Sequence, residues 1–440
     1  MSFRVVIGLR RLQIVTFSLL LAAAYANSTT LYQVTLLADE GKISVDACLS
    51  ADATKLVVGN KRASRYVATS VESNLVQTRS SLHIVNKTNP CFNYTVDLHK
   101  ARKDRFAYQV GKSWLVNNHS WLWLPDTNQP VHANFRDENG NPVKLSAPWR
   151  IKNGGYHLNE TPIHWTSRIA FGDIEIVPTN VGESVLNVAL LNIQQAQKRR
   201  ELVNWVGSAG RAVASVYGRY PLTDVQVLVV PIGKRKEAVP WAEVQRNGHP
   251  AVHFFIDPNR PIEQFHADWT ATHELSHLLH PRIEYQDRWL SEGLASYYQY
   301  IVQARAGMLT NQQAWKKFTA GLERGRKKAD RPLRSAKQTR HAYWGGAAIY
   351  FLADIELRKS STGQSLNEVL DKFAALHLPS NKLWSAEQYM QTLDEISQTK
   401  IFTTLLAKEA TGSTFPIRRA DEPAFSPSQN TITADILGGN

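Results

Sequence analysis

The chain has 440 residues, of which 43% are hydrophobic and 20% charged, a balance typical of a globular protein with two or three domains. No fixed-period repeat is present, which argues against solenoids and propellers. The formal net charge is +13, but no nucleic-acid-binding module is recognisable, so nucleic acid is not expected as a partner. A solvated basic surface, an anionic envelope surface or acidic substrates remain as explanations of the charge.

Residues 1–26 resemble a secretory signal. Three arginines precede a short apolar stretch from Leu12 to Ala24, and Ala24-Tyr25-Ala26 is a small-x-small cleavage site. An uncleaved membrane anchor is the alternative, but the apolar run is short for a membrane span. We therefore expect cleavage and a periplasmic or secreted mature protein with no transmembrane segment.

The only cysteines are Cys48 and Cys91. In an oxidising compartment two such residues pair, so we expect a disulfide; two buried free thiols are the alternative. Both cysteines lie far from the candidate catalytic residues, which disfavours a cysteine nucleophile.

Residues 27–178 are predicted to form an antiparallel β-domain. Short strands are expected at Lys55–Val58, Ser81–Val85, Ser120–Leu124 and Ile169–Val177, with a clear turn signal at 137–142.

From residue 179 to about 410 the pattern predicts an α+β domain. Strands are expected at 224–231 and 251–257, and helices at 197–217, 261–280, 288–305, 311–328, 343–358 and 365–376. The tail, residues 411–440, is rich in Ser, Thr, Pro and Gly and is predicted to be irregular.

The central motif is His273-Glu274-Leu275-Ser276-His277. On a helix, residues four apart share a face, so both imidazoles can reach one metal ion. Glu274 projects to the side, where it can deprotonate a metal-activated water. Two surface histidines on an ordinary helix would give the same short pattern, so the neighbouring sequence has to show whether this is a metal site.

A catalytic zinc site usually has three protein ligands and one open position. The downstream candidates are His280, Glu284, Asp287 and Glu292. His280 continues the same helix face, but it would lie about 10 Å along the axis from His273, so one straight helix could not easily wrap both around one ion. The metzincin third histidine would fall at Ile283, which excludes that class. Glu292, on the next predicted helix, could fold back toward the motif.

Two further segments carry a family resemblance. Residues 289–297, Trp-Leu-Ser-Glu-Gly-Leu-Ala-Ser-Tyr, resemble the glutamate-ligand helix of gluzincins, in particular the aminopeptidase N and glycyl aminopeptidase branches. Residues 343–348, Tyr-Trp-Gly-Gly-Ala-Ala, resemble the helix that carries the catalytic tyrosine of that family. The resemblance implies a thermolysin-like, mainly helical catalytic domain that binds Zn²⁺ through His273, His277 and Glu292.

It also implies a zinc metallopeptidase that acts on peptides or proteins, and the signal-like residues 1–26 add the expectation that it is exported. Glu274 would be the general base and Tyr343 the donor to the oxyanion. Two alternatives stay open: an inactive peptide-binding protein on the same fold, and a zinc hydrolase of non-peptide amides. A basic run over residues 324–340 could favour acidic substrates if it lay across the cleft, or could be a solvated loop.

The chain departs from the family pattern in three places. Only 14 residues separate His277 from Glu292, where the aminopeptidase N pattern has 18. Gly345 stands where the family has a lysine. No Gly-x-Met-Glu-Asn exopeptidase sequence precedes the motif; the corresponding stretch is Val239–Val244 followed by Arg246-Asn247-Gly248, in which Glu243 could substitute as the substrate anchor. Whether the enzyme is an exo- or an endopeptidase is therefore left open.

Overall fold

The computed structural model describes residues 30–49, 53–70, 73–161, 163, 166–246, 249–336, 339–409, 412, 414–418 and 431–438. The predicted signal, residues 1–26, lies outside this part of the chain. The chain divides into two compact units, Met1–Leu145 with Trp149–Gly172, and Ser146–Pro148 with Asp173–Asn440. No described helix combines the length and apolar character that a membrane span requires.

The first unit is built from short strands. They are β1 Thr30–Leu37, β2 Lys42–Cys48, β3 Lys55–Val57, β4 Val67–Ala68, β5 Leu75–Gln77, β6 Ser81–Ile84, β7 Cys91–Asp97, β8 Ala107–Val110, β9 Ser113–Asn117, β10 Leu124–Pro125, β11 Val131–Arg136, β12 Leu145–Ser146, β13 Ile151–Lys152, β14 Gly155–His157 and β15 Arg168–Phe171, with the helix α1 Leu98–Lys103 after β7.

These strands form three sheets, with the orders β13-β14-β11-β1-β2-β7-β4, β10-β3-β6-β5 and β12-β15-β9-β8. Burial alternates along β1 and β2, which places Tyr32, Val34, Ile43 and Val45 on one core face. The pairs β1–β2 and β2–β7 are antiparallel, as predicted, whereas β1 and β11 pair in parallel.

The disulfide between Cys48 and Cys91 is confirmed. It joins β2 and β7 at residues that are direct cross-strand partners. The two cysteines are separated by 43 positions, so in the chain-entropy description the bond stabilises the fold by about 4 kcal/mol.

The second unit contains one five-stranded sheet. Its strands are β16 Ile174–Val181, β17 Ser184–Leu191, β18 Asp224–Pro231, β19 Trp241–Gln245 and β20 Ala251–Ile256, in the order β16-β17-β18-β20-β19. The inner pairs β17–β18 and β18–β20 are parallel, and β19 runs antiparallel to β20 at the edge. β18 and β20 are buried almost throughout, which explains their continuous apolar sequences.

Helices make up most of the remainder of this unit. They are α2 Ala196–Ala214, α3 Ile262–Ala267, α4 Thr270–Ser276, α5 Arg288–Arg305, α6 Asn311–Arg326, α7 Thr339–Lys359, α8 Leu366–His377, α9 Ala386–Ser397, α10 Ile401–Glu409 and α11 Thr431–Gly438. α5 is central: from Trp289 to Ala304 every residue except Glu292 is buried. A helix that is buried on nearly all sides is surrounded by other elements, and Glu292, the one residue of this stretch that is not fully buried, marks the candidate site.

Three sequence predictions in the strands and helices were wrong in detail. The helix predicted over 261–280 is two helices, α3 and α4, followed by a 3₁₀ turn at His277–Leu279. The strand predicted over 169–177 is two strands, β15 and β16, because Gly172 between them has φ +97°. In the segment 120–124, Ser120 ends a 3₁₀ turn and Leu124 begins β10, whereas the longer strand lies earlier, at β9.

The tail was predicted to be irregular over its whole length, but residues 431–438 form α11. Ile436 and Leu437 are buried, and the Arg305 guanidinium donates two hydrogen bonds to the Ile436 carbonyl, at 3.1 and 2.8 Å. Contact with α5 therefore supplies the stability that so short a helix lacks by itself.

Candidate metal centre and active site

Three side chains from two helical segments converge on one point. His273 projects from α4, His277 from the 3₁₀ turn that continues it, and Glu292 from α5. Their potential ligand atoms all lie within 4.8 Å of one another. Glu292 Oε2 is 3.3 Å from His273 Nε2 and 3.5 Å from His277 Nε2, so the short 280–287 connection does fold Glu292 back onto the motif.

These spacings suit a tetrahedral ion. Ligands about 2.0–2.1 Å from zinc stand about 3.4 Å apart at tetrahedral angles. The donor set of two imidazoles and one carboxylate is the composition of a catalytic zinc site with an open fourth position. Among the described residues, this is the one cluster of His, Cys, Asp or Glu close enough to hold a metal ion.

The ring of His273 is oriented by Gln299, which lies about two turns after Glu292 on α5. His273 Nδ1 lies 2.9 Å from Gln299 Oε1, which is an acceptor, so Nδ1 carries the proton and Nε2 keeps its lone pair. Thr272 also donates to the Gln299 carbonyl, at 3.0 Å. Gln299 was not identified from the sequence, although its position seven residues after Glu292 places it on the same helix face.

Burial and mutual contact set the charges of the three candidate ligands. Burial raises the pKa of Glu292, but His277 and His273 outweigh it and hold this pKa well below the ordinary value. Burial lowers the pKa of His277 to about 4. For His273 burial acts in the same direction, yet Glu292 and Glu274 reverse it and leave that pKa raised. Glu292 is thus an anion that faces two imidazoles.

Glu274 stands beside this cluster without belonging to it. It is half-buried on α4, and burial raises its pKa to about 7, while His273 acts in the opposite direction. A carboxyl group that is close to a metal centre but outside the ligand set has the position that a general base requires.

Tyr343 reaches the same place from α7. Its ring stacks on the His273 ring, with centroids 5.3 Å apart and an interplanar angle of 9°. Burial, with the negative charges of Glu292 and Glu274, raises the pKa of the Tyr343 phenol. The hydroxyl therefore remains protonated and can act as a hydrogen-bond donor.

The approach of Tyr343 depends on a close contact between α5 and α7. A Cβ atom on Gly346 would lie 2.0 Å from the Trp289 carbonyl oxygen, and one on Gly293 would lie 2.4 Å from the backbone of Gly346. Gly293 directly follows Glu292 in the sequence, and Gly346 lies three residues after Tyr343. Their lack of a side chain brings the two helices together and so sets the distance between Glu292 and Tyr343.

Glu243 is placed elsewhere. Its neighbours Ala242 and Val244 pack against the core that includes residues of α4, α5 and α7, so by alternation along β19 Glu243 lies on the other face of the sheet. There its Oε1 is 2.9 Å from Nδ1 of its cross-strand partner His253. The structure does not bring Glu243 together with His273, His277 and Glu292.

The basic run is largely engaged in contacts of its own. Arg334 forms a bidentate ion pair with the buried Asp287, at 2.8 and 3.1 Å, and also contacts Glu387 at 2.6 Å. Arg324 lies over the Trp344 ring at 5.2 Å, and Arg331 pairs with Asp330. Lys337, also in the run, lies outside the described residues.

Residues 270–362 match the family model described as M61 glycyl aminopeptidase. This range contains all three motifs recognised in the sequence, which confirms the resemblance to gluzincin aminopeptidases. No curated protein sequence matches the chain.

Solved structures share the fold at low sequence identity. An aminopeptidase N family protein from Idiomarina loihiensis is 14% identical, with a TM-score of 0.64 over 87% of this chain and 76% of that one. An M1 zinc metallopeptidase from Deinococcus radiodurans is 14% identical, with a TM-score of 0.52 over 91% and 96%. Yeast LTA4 hydrolase in complex with bestatin is 15% identical, with a TM-score of 0.54 over 91% and 69%. The predicted α+β fold, a β-domain followed by a mainly helical domain, is confirmed.

Proposed function

We propose that the chain is a zinc metallopeptidase that hydrolyses peptide bonds, with its catalytic centre at His273, His277, Glu292, Glu274 and Tyr343. The observation that carries the proposal is the convergence of the three candidate ligands within 4.8 Å of one another, with an acid–base carboxyl group and a phenol beside them. A structural zinc site would need neither of these additional groups.

His273, His277 and Glu292 would hold the zinc ion. Bound there, zinc supplies Lewis-acid chemistry, which polarises a substrate carbonyl and acidifies water. The single negative charge of Glu292 neutralises a dication only in part, which keeps this chemistry strong.

Glu274 would accept the proton of the attacking water and pass it to the leaving amine. Its half-buried position and its pKa of about 7 suit a group that both accepts and releases a proton near neutral pH. Because it is not one of the three converging ligands, its loss should remove catalysis without removing the metal.

Tyr343 would donate a hydrogen bond to the oxyanion that forms at the carbonyl. The stacking of its ring on His273 supports this role, since a donor that is already oriented costs little reorganisation during the reaction.

The edge strand β19 would bind an extended peptide by strand addition. It has β20 on one side and no further strand beyond it among the described residues, and it lies next to α4. Main-chain pairing along such an edge gives affinity without requiring a particular side chain.

Export from the cytoplasm completes the proposal. It is supported by the signal-like sequence of residues 1–26 and by the disulfide Cys48–Cys91, because such bonds persist chiefly in oxidising compartments.

The test is digestion of a peptide library by the purified mature protein, with parallel metal analysis. We expect about one zinc per chain, peptide cleavage, and loss of cleavage on chelation that added zinc restores. Peptide binding without cleavage in the zinc-loaded protein would favour an inactive binding protein. Turnover of simple amides with intact peptides would favour the non-peptide hydrolase.

A further inference from the structure

A second group of side chains lies directly behind His277, on the side of its ring that faces away from Glu292. His277 Nδ1 is 3.2 Å from Ser291 Oγ and 3.4 Å from His280 Nε2. His280 is 2% exposed and Ser291 6%. Arg246, just after the edge strand β19, reaches the same group. Of these three residues only His280 was considered from the sequence, as a candidate metal ligand.

The chemistry of the ring determines what this group must do. If His277 Nε2 binds a cation through its lone pair, the ring proton resides on Nδ1. Nδ1 then needs an acceptor, and both atoms within reach can accept. Ser291 Oγ has lone pairs in any orientation of its hydroxyl. His280 Nδ1 lies 2.7 Å from the Pro281 carbonyl and must donate to it, which leaves His280 Nε2 as an acceptor.

Arg246 fixes this arrangement from behind. A guanidinium group has donors only. Here Nη2 donates to Ser291 Oγ at 3.1 Å and Nη1 donates to the His277 carbonyl at 3.1 Å, both neutral acceptors. Nη1 also lies 3.0 Å from both ring nitrogens of His280, of which Nε2 is the one that can accept. The same side chain thus holds the backbone of one ligand residue and the hydroxyl next to its ring. A cavity of about 40 Å³ adjoins Arg246 and His280.

We propose that Ser291, held by Arg246 and His280, is a positioning residue that keeps Nδ1 of His277 protonated and Nε2 turned toward the metal. It does for His277 what Gln299 does for His273. The inference rests on the proposed function, because it presupposes a metal ion at His273, His277 and Glu292. It assigns Arg246, in the stretch where the family's exopeptidase sequence would lie, to the metal centre and not to the substrate.

The first test is Ser291→Ala, with Ser296→Ala as the matched control. Ser296 is a fully buried serine on the same helix whose Oγ has no hydrogen-bond partner among the described residues. Zinc affinity is measured by competition with a chelator, and folding of the metal-free proteins by thermal unfolding. We expect about 10–100-fold weaker zinc binding in Ser291→Ala, wild-type affinity in Ser296→Ala, and partial recovery in Ser291→Thr, which restores the hydroxyl.

The second test uses the cavity. Arg246→Ala enlarges the existing space beside His280, and guanidinium ion at concentrations too low to unfold the protein should enter it and recover zinc affinity. A variant that is merely misfolded would not be rescued in this way, so rescue reports the position of the cation.

Equal zinc affinity in Ser291→Ala and Ser296→Ala would overturn the inference, as would the absence of guanidinium rescue in a folded Arg246→Ala protein. A wild-type protein that binds no zinc and cleaves no peptide would instead overturn the proposed function.

Discussion

At the scale of single residues, the candidate site separates groups that would hold a metal from groups that would carry out chemistry. In each candidate ligand histidine, Nδ1, the ring nitrogen that faces away from the site, has a hydrogen-bond partner: Gln299 for His273 and Ser291 for His277. Glu274 and Tyr343 stand beside the ligands and leave those two contacts intact. This separation makes the roles distinguishable by substitution.

The first prediction concerns the base. Glu274→Gln should retain about one zinc per chain and lose turnover by roughly 10²–10⁴-fold, because it removes a proton acceptor and no ligand. His277→Ala should lose the metal as well. Metal content and kcat measured on the same preparations check both statements, and equal loss of zinc in the two variants would contradict the assignment.

The second prediction ranks the third ligand. Glu292→Ala should weaken zinc binding far more than His280→Ala, since Glu292 Oε2 lies within 3.5 Å of both imidazoles that face the site, whereas His280 lies behind His277. Dissociation constants from chelator competition decide the order. The reverse ranking would contradict Glu292 as the third ligand and would leave only His273 and His277 as supported ligands.

Much of this site was predictable from sequence because its chemistry is concentrated in short motifs. The ligand candidates, the base and the tyrosine all fall on patterns that can be read locally. Gln299, Ser291 and Arg246 were missed because hydrogen bonding across helices leaves no spacing signal. Glu243 had the right residue type on the right strand, but the alternation of the strand turns it to the other face.

At the scale of elements, the break in one predicted helix depends on a side-chain hydrogen bond that hydrophobic periodicity does not reveal. The predicted helix 261–280 breaks because Asp268 adopts an extended conformation and accepts a hydrogen bond from the Thr270 amide, at 2.7 Å, which starts α4 anew. The helix 288–305 was predicted correctly to the residue.

The third prediction tests the close contact of α5 and α7. Gly346→Ala should destabilise the protein by about 1–3 kcal/mol and weaken zinc binding, because its Cβ would meet the backbone carbonyl of Trp289, which cannot move without the helix. Gly345→Ala is the matched control: its Cβ would meet a terminal methyl of Leu333, which can rotate away. Free energies of unfolding from denaturant titration compare them, and equal stability would show that helix packing does not set the site.

At the scale of the whole molecule, the order of a β-rich part before a helical part was predictable because periodicity is local. The sheet orders were not, since pairs such as β1 with β11 join residues about a hundred positions apart. The positive charge of residues 324–340 was equally uninformative about the substrate. In the basic run that suggested acidic substrates, Arg334 is paired with Asp287 and Glu387, and Arg324 lies over the Trp344 ring. Any preference for acidic peptides would therefore depend on the other basic residues of the run.

The last prediction concerns which peptides the molecule accepts. In the family's exopeptidases a glutamate of the missing motif pairs with the free α-ammonium of the substrate and sets the register of the cut. Here the substitute, Glu243, is paired with His253 on the far face of the sheet. Without an anchor, a free amino terminus gains no charge-assisted bond and costs desolvation on entering the cleft. Binding would depend on pairing with β19 and on side-chain contacts.

Matched peptides with free and N-acetylated amino ends should therefore have similar kcat/KM values. The comparison needs extended peptides, so that strand pairing is available to both forms, and Glu243→Ala as the control variant, which should leave the ratio unchanged. A preference for the free amine of about a hundredfold or more, equivalent to about 2.7 kcal/mol of transition-state binding, would show that an anchor exists. If Glu243→Ala then removed that preference, Glu243 would have to leave His253 and reach the substrate; if it did not, another carboxylate near the cleft would be the anchor.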